Sequence, residues 1–577
     1  MSDIWYGTSG PRNARIAIVG ESWGDSERQA EQPFVGTSGK ELTRILADAG
    51  IDRSECFITN VVPEQPTSNE MGHFFYTGAE VKAGQQAGEY WGLYPKVNVA
   101  GSLVYLAQQI EEVDPDIIIA CGNYALWALG DDVASISSKS SPGLPSRKMP
   151  AGIAKWRGSQ LYTRDTFGKR KLVPIYHPAA IMRNWEWRYI TVHDLRKRVV
   201  EPWYISPENF IVRPSLENVE TALFAIISDL NRGPIHLAID LETRGGCIAC
   251  IGIAVDASTA ICIPFMCVED DQGYWSLDDE VWIRDRLSEI LSHPNLHTYG
   301  QNYLYDMQYL VAEFLPVEPA NVFDTMLAHH VCWPGTLKGL DYISSLYCRF
   351  HRYWKDEGKH WDTSIPEDRY WRYNCLDACA TFECGEVLQQ VIPELGLEDP
   401  WDTQQRQIGL VFRMMQRGVK ISQSRRNAVA DELMEAALAT EHWLERALPD
   451  ELRPVMKSKN ASPWYSSSRQ QCTIFYDSLG IQPVKNRKTH QPTVNDEALK
   501  IIAKREPALS SLTEKLAELR SLKNFHNVVQ TKLDGDGRMR CSFGIAGTET
   551  FRWNSSENAF GRGTNLQNIS KGHEEDE

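Results

Sequence analysis

Three short patterns in this chain hold acids at intervals that suit metal chemistry. In "IHLAIDLETRGG", Asp240 and Glu242 stand two apart, so that in a strand both carboxylates point to one face. "HTYGQNYLYDMQYL" puts Asn302 and Asp306 four apart, and "RYWRYNCLDACATFE" repeats the interval with Tyr373 and Asp377; on a helix such pairs share a face. A single D-x-E carries no information, but four carboxylates from one strand and two helices are what a pair of divalent cations requires. Hard oxygen ligands suit Mg²⁺ or Mn²⁺, two of which about 3.5–4 Å apart serve phosphoryl chemistry.

A second polar set lies in the first 200 residues. The runs "ARIAIVGE", "CFITNVV", "DIIIACG" and "KLVPIYHP" are apolar throughout and separated by helix-length segments, which predicts parallel strands buried on both faces of an α/β domain. Ligands of such sheets sit outside the carboxyl ends of the strands. There the sequence places Gly20-Glu21, Asn60, Gly122-Asn123 and His177-Pro178.

The remaining features set the frame. A chain of 577 residues, 42% hydrophobic with 18 Trp and 22 Tyr, predicts three or four globular domains. "MSDIWYGTSG" is neither basic nor apolar, and no run approaches a membrane span; a soluble, cytoplasmic protein is expected. The 13 Cys are scattered, as reduced thiols would be. Cys247 and Cys250 have metal-knuckle spacing but lie in an apolar run without a second pair, so both read as buried strand residues. The net charge of −16 argues mildly against nucleic acid, yet between residues 400 and 532 there are 21 Lys and Arg against 14 Asp and Glu, a local basic excess.

The segments "GESWGDSE", "QPFVGTSGKELTRIL", "TNVV" and "YHPAAIMR" resemble the uracil-DNA glycosylase superfamily, its family 4 branch above all, over roughly residues 14–198. Base flipping is the physical logic of that family: the base leaves the stack and is read by its edge and by a stacking ring. The resemblance implies that Phe34 stacks on the flipped uracil, that Asn60 reads its Watson–Crick edge, and that His177 stabilises charge on the leaving base. Glu21, or Asp25 close by, would position or polarise the water. Trp23 replaces the usual Pro of the first motif, and only Cys56 and Cys121 stand where the family carries four cluster-binding Cys; no iron–sulfur cluster is expected. The same signals fit a retained fold that binds DNA without cutting it.

The trio D-x-E, N-x-x-x-D and Y-x-x-x-D resembles the 3′–5′ exonuclease domain of family A DNA polymerases, of the DnaQ type with a ribonuclease H-like core. It implies that Asp240, Glu242, Asp306 and Asp377 hold two metal ions, that Tyr373 orients the attacking water, and that single-stranded 3′ ends are the substrate, with Asn302 in the binding set. Trp371 is a stacking or, more readily, a packing group.

From Trp401 onward the pattern is helical, and "SSSRQQCTIFYDSLGIQP" with "LAELRSLKNF" is similar to the thumb and first palm elements of family A polymerases. Ser466 to Arg469 and Arg520 to Lys523 match stretches near primer–template, where phosphate contact is the obvious chemistry. "GTETFRWNSSENAFGRGTNLQNIS" resembles the family's T-x-T-G-R to N-L-Q-N-I-P motif, with Phe551 for Gly and Ser570 for Pro. Arg552 and Asn565 to Asn568, including Gln567, would face the duplex. The palm motif D-Y-S-x-x-E, the fingers helix and H-D-E do not occur in the 577 residues, so this chain alone is not expected to polymerise.

The expected organisation is a multidomain α/β chain. It comprises a glycosylase-like domain at 1–204, a linker at 205–216, an exonuclease domain at 217–398, a mainly helical thumb with partial palm at 399–570, and an acidic tail at 571–577. The leading expectation is the N-terminal subunit of a split, phage-like family A DNA polymerase, acting in replication in the host cytoplasm, with palm and fingers on a second polypeptide. A free-standing repair or degradation enzyme using the thumb as a DNA clamp is the alternative, and a non-catalytic assembly module the third reading.

Overall fold

The computed structural model describes residues 4–568, apart from 78–79, 82, 85–87, 132–151, 269–272, 315–320, 359–365, 454–461 and 488. Ser570 and the acidic tail 571–577 lie outside the described residues. The chain forms two compact units, Met1–Gln405 and Arg406–Glu577.

The first unit contains two sheets. The four apolar runs become β1 (Ile16–Ser22), β2 (Cys56–Val62), β3 (Ile117–Cys121) and β5 (Lys171–Ile175), joined in the order β2-β1-β3-β5-β4. All pairs are parallel except the edge, where the two-residue β4 (Leu161–Tyr162) runs antiparallel to β5. Strand order reverses around β1, which puts a crevice at the carboxyl ends of β1 and β3. Apolar residues fill both faces of this sheet: Val19, Phe57 and Trp127 lie in one core, and Ile18, Leu42 and Ile175 in the other.

The second sheet has the order β11-β10-β7-β8-β9-β6. A hairpin of β7 (Ile235–Arg244) and β8 (Cys247–Ala254) turns through Gly245 and Gly246, both at positive φ, as a two-residue hairpin requires. β9 (Thr259–Pro264) continues the antiparallel meander, while β10 (Leu296–Gly300) and β11 (Asn321–Asp324) add parallel strands on the other side. The long helix Glu367–Glu394 packs its Tyr370, Trp371, Cys375 and Phe382 into the core beneath this sheet.

Three sequence expectations change here, and Trp371 takes the packing role, the readier of its two readings. The stretch read as a linker supplies β6 (Asn209–Ile211), which pairs in parallel with β9; its three residues are too few to announce a strand between prolines. Asn302 does not share a helix face with Asp306. The helix begins at Leu304, because the Asp324 carboxylate takes the N–H groups of Asn302 and Tyr303 at 3.3 and 2.7 Å and Asn302 sits at φ 55°. Of the Cys pair, Cys250 is buried on β8 as expected, but Cys247 is exposed at the strand's start. Trp371 is fully buried against Tyr274 and Arg213, a packing residue that presents no face to a nucleotide base.

The second unit is mainly helical. Helices Gln423–Ala447, Asp496–Arg505 and Ser510–Val529 bury Leu444, Ile502 and Leu516 around Phe475. Two short antiparallel ladders follow, Val419–Lys420 with Arg538–Met539 and Ser542–Gly544 with Asn554–Ser556.

Candidate active sites

The cleft at the carboxyl edge of the first sheet, about 650 Å³ in volume, is lined by Glu21, Phe34, Asn60 and His177 together. Register explains the convergence: β1 pairs Gly20 with Asn60, and the Gly122 N–H after β3 bonds the Ile175 carbonyl at the end of β5. Two glycines make the closeness possible. A Cβ on Gly20 would lie 2.1 Å from Asn60 Oδ1 and 2.7 Å from the Phe34 ring. One on Gly122, at φ +98°, would lie 2.4 Å from Glu21 Oε1, in a backbone region that side chains avoid.

Phe34 itself stands at φ 53°, a left-handed conformation rare for a large residue. Arg53 pins it there, donating to the Phe34 carbonyl at 2.9 Å and to that of Gly39 at 2.8 Å. The Phe34 ring stacks on His177, centroids 5.7 Å apart. His177 caps the helix Pro178–Arg183, its Nδ1 accepting from the Ala179 N–H at 3.2 Å. Burial, then the Arg183 guanidinium, hold its pKa down to about 4. The ring is therefore neutral at pH 7, and with Nδ1 an acceptor its proton resides on Nε2. Burial pushes the Glu21 carboxyl up to about 7, against the N–H groups of Tyr124 and Asn123 that favour its charge; the Tyr124 bond is 3.0 Å. Asp25 is not brought into this set. It is exposed at the start of helix Asp25–Ala30, where Gln65 donates to it at 2.7 Å. Cys56 and Cys121 are buried in their strands.

In the second sheet, ligand atoms of Asp240, Glu242 and Asp377 lie within 4.8 Å of one another. Strand alternation aims the first two to one side of β7, just ahead of a bulge between Glu242 and Thr243. Asp377 rises from the long helix one turn after Tyr373. Asp306, buried in the helix Leu304–Glu313, accepts the Leu241 N–H at 3.2 Å, below the strand that carries the other two. Asn374 donates to Asp240 Oδ2 at 2.8 Å, and Tyr370 to Glu242 Oε2 at 2.9 Å. Trp354 Nε1 donates to Asp377 Oδ1 at 2.5 Å, and the Lys355 ammonium meets Asp377 Oδ2 and donates to the Tyr373 hydroxyl at 3.2 Å.

The electrostatics of these acids ask for a cation. Burial, then the charges of Asp377, Glu242 and Asp306, push the Asp240 carboxyl well up. Burial and Asp377 push Glu242 up to about 7. Lys355 responds in the opposite sense: burial works against its charge, but Asp377, Asp240 and Glu242 outweigh it and hold the ammonium above its ordinary range. An all-oxygen set whose like charges are this costly fits a hard divalent ion. Tyr373 is pushed far up by burial and by Asp377, so its hydroxyl keeps its proton and can serve as a donor.

Sequence reasoning missed Tyr370, Asn374, Trp354 and Lys355. Tyr370 lies one helical turn before Tyr373 and Asn374 one turn before Asp377, so helical spacing could have found them. "HRYWKDEG" offers no comparable signal.

Of the polymerase-like residues, Arg520 and Lys523 are engaged within the protein. Arg520 is committed inward, donating to the Val494 carbonyl at 2.7 Å and to Gln471, with Asp496 3.2 Å away. Lys523 pairs with Glu441 at 2.5 Å. Arg552 is exposed. The Asn565 carboxamide oxygen takes the Ser555 hydroxyl and the Gln567 N–H, and Gln567 donates to the Trp553 carbonyl at 3.0 Å; Asn568 closes the short 3₁₀ turn Leu566–Asn568. Phe551 stands at φ 57°, which gives the family's Gly at this position a physical reason.

Comparison with known proteins finds matches to both domains. Residues 7–200 match the family described as Uracil DNA glycosylase superfamily, and residues 218–393 match that described as 3'-5' exonuclease. The type-4 uracil-DNA glycosylase of Thermotoga maritima is 30% identical over 190 residues, 33% of this chain and 78% of that protein. That of Saccharolobus solfataricus is 32% identical over 33% of this chain and 71% of its own length. A DNA polymerase of Bacillus phage SP01 is 22% identical across 95% of this chain, which spans 62% of that polymerase. The chain thus belongs to the uracil DNA glycosylase superfamily through residues 7–200, and joins to that domain the 3'-5' exonuclease domain of family A DNA polymerases.

Proposed function

We propose that the chain is the proofreading part of a family A DNA polymerase, removing nucleotides from single-stranded 3′ ends with two divalent metal ions. The observation that carries this reading is the convergence of Asp240, Glu242 and Asp377 beside the Tyr373 hydroxyl. Asp240, Glu242 and Asp377 would hold the metal, with Asp306 completing the set from beneath β7. When bound, Mg²⁺ or Mn²⁺ supplies a nucleophilic hydroxide and stabilises the leaving 3′ oxygen. The chain's own residues supply placement. Asn374 and Tyr370 fix the rotamers of Asp240 and Glu242, and protonated Tyr373 donates a hydrogen bond that orients the attacking water. Digestion of an end-labelled single strand in Mg²⁺, lost in Asp240→Ala, tests this; undiminished digestion by that variant refutes it.

The cleft of the first domain supports uracil excision. Phe34 offers a ring for stacking, Asn60 an edge-reading amide, and the neutral His177 an Nε2 proton for the departing base oxygen. Glu21, titrating near neutrality, would polarise the water; exposed Asp25 does not share that task. Release of uracil from a single-strand oligonucleotide, abolished by Asn60→Ala, tests it.

The partner we propose is a second polypeptide bearing palm and fingers, in a replicative enzyme acting on primer–template in the cytoplasm of a phage-infected cell. Among the described residues no helix is long and apolar enough to cross a membrane. Mixing the chain with a candidate palm-bearing protein should create templated synthesis. Full exonuclease and glycosylase activity with no association would favour the free-standing repair enzyme. The inward pairing of Arg520 and Lys523 weighs against a DNA clamp built on those two cations.

A further inference from the structure

The segment that delivers Trp354 and Lys355 to the exonuclease site belongs, by its anchorage, to the other domain. After helix Leu340–Tyr347 the chain runs as a strap against the glycosylase-like domain. The Gln160 N–H donates to the His351 carbonyl at 2.8 Å, and the Tyr353 N–H to Ser159 Oγ at 3.2 Å. Arg198, 1% exposed, spends all five N–H groups here: Gly158 O, Gln160 Oε1, and the carbonyls of Ser345, Cys348 and Arg349. Lys197 donates to the Leu346 carbonyl at 2.5 Å.

Tyr353 and Trp354 then face opposite ways, as successive side chains of extended backbone do. Tyr353 enters the core of the glycosylase-like domain and meets Trp156 edge-on at 5.3 Å. Trp354 and Lys355 meet Asp377 and Tyr373. Gly358 closes the strap over the Tyr373 ring, where an added Cβ would lie 2.6 Å from it.

We propose that the glycosylase-like domain is a structural part of the exonuclease: Arg198 and Lys197 clamp the strap, and through it position Lys355 and Trp354 on Asp377 and Tyr373. Lys355 and Trp354 are positioning residues, fixing the carboxylate and the phenol that face the reaction. Arg198 and Lys197 position them in turn from across the domain boundary. Neither sheet's own sequence motifs contain this dependence. It rests on the exonuclease reading for its consequence, but not for its geometry.

The test uses the full chain and four variants: Lys355→Met, Lys355→Arg, Arg198→Met and the milder Lys197→Met, which removes one bond from a partly exposed side chain. Hydrogen exchange of amides 348–356 in the metal-free chain should accelerate about tenfold or more in Arg198→Met and severalfold in Lys197→Met. Unchanged exchange in both overturns the clamp, whatever the enzyme does. Exonuclease kcat should fall about tenfold or more in Lys355→Met with KM for the single strand unchanged, and Lys355→Arg should recover most of it. The double variant Arg198→Met/Lys355→Met should lose clearly less than the product of the two single losses, the remainder being what Trp354 contributes. A multiplicative loss shows that Arg198 acts by another route and overturns the proposal. If wild-type chain digests no 3′ ends at all, the exonuclease reading fails while the exchange result still decides the clamp.

Discussion

Glu21→Gln isolates the cost of burying a carboxyl in the cleft at the carboxyl edge of the first sheet. The Glu21 pKa stands at about 7, where an unburied Glu has 4.5. The folded domain therefore holds a proton that the unfolded chain releases between those two values. Its stabilising effect is complete below pH 4.5 and is lost as pH rises to about 7 and beyond. The shift corresponds to about 3 kcal/mol at 1.36 kcal/mol per pH unit, reduced to about 2–3 kcal/mol because the carboxyl lines an open cleft. Glutamine keeps an oxygen for the Tyr124 N–H and carries no charge at any pH. Between pH 4.5 and pH 8 the variant should thus gain about 2–3 kcal/mol on the wild type, or about 30- to 150-fold in opening equilibrium. Hydrogen exchange of the β1 amides Ile16–Ser22 in the full chain reads that equilibrium for this domain alone. Parallel pH dependences in the two proteins would refute the claim that burial controls this carboxyl.

Three further outcomes are expected. Gly122→Ala sets a methyl group against Glu21 at φ +98°, which should lower the domain's stability by about 1–3 kcal/mol and abolish uracil release, measured by thermal unfolding and a glycosylase assay. Asp194→Asn leaves Arg157, now bound bidentately at 2.7 and 2.6 Å, buried without its counter-charge; a loss of about 3–5 kcal/mol in denaturant titration is expected, and less than about 1 kcal/mol would contradict a buried ion pair. Chelation with EDTA should stop 3′-end digestion and leave uracil release intact, since the first cleft gathers no carboxylate cluster among the described residues; loss of both activities would place a metal where this structure gathers none.

The contrast between what was legible and what was not follows from interaction range. Apolar runs such as "DIIIACG" announce buried parallel strands because every residue in them is desolvated on both faces. The rule that ligands gather at the carboxyl ends then locates Glu21, Asn60 and His177 before any coordinates exist. D-x-E and Y-x-x-x-D are equally local, since strand and helix periods alone aim their side chains. The helix expected across N-x-x-x-D starts late for a tertiary reason: Asp324, 22 residues from Asn302, takes the backbone N–H of Asn302 and that of Tyr303. Arg520 and Lys523 look like free cations in sequence because their partners, Val494, Gln471, Asp496 and Glu441, are 24 to 82 residues distant.

Lys355 marks the limit of such reading. Its neighbours in sequence carry no period and no motif, and its partners come from a helix 18 and 22 residues on. What places it there is a set of bonds to Ser159, Gln160 and Arg198, some 150 to 200 residues earlier. A side chain at an active site is legible in sequence only when the element that carries it also aims it. Where a neighbouring domain does the aiming, the chemistry of the site acquires a dependence on that domain's fold, and an enzyme that joins two domains in one compact unit can lose one activity through a change made in the other domain.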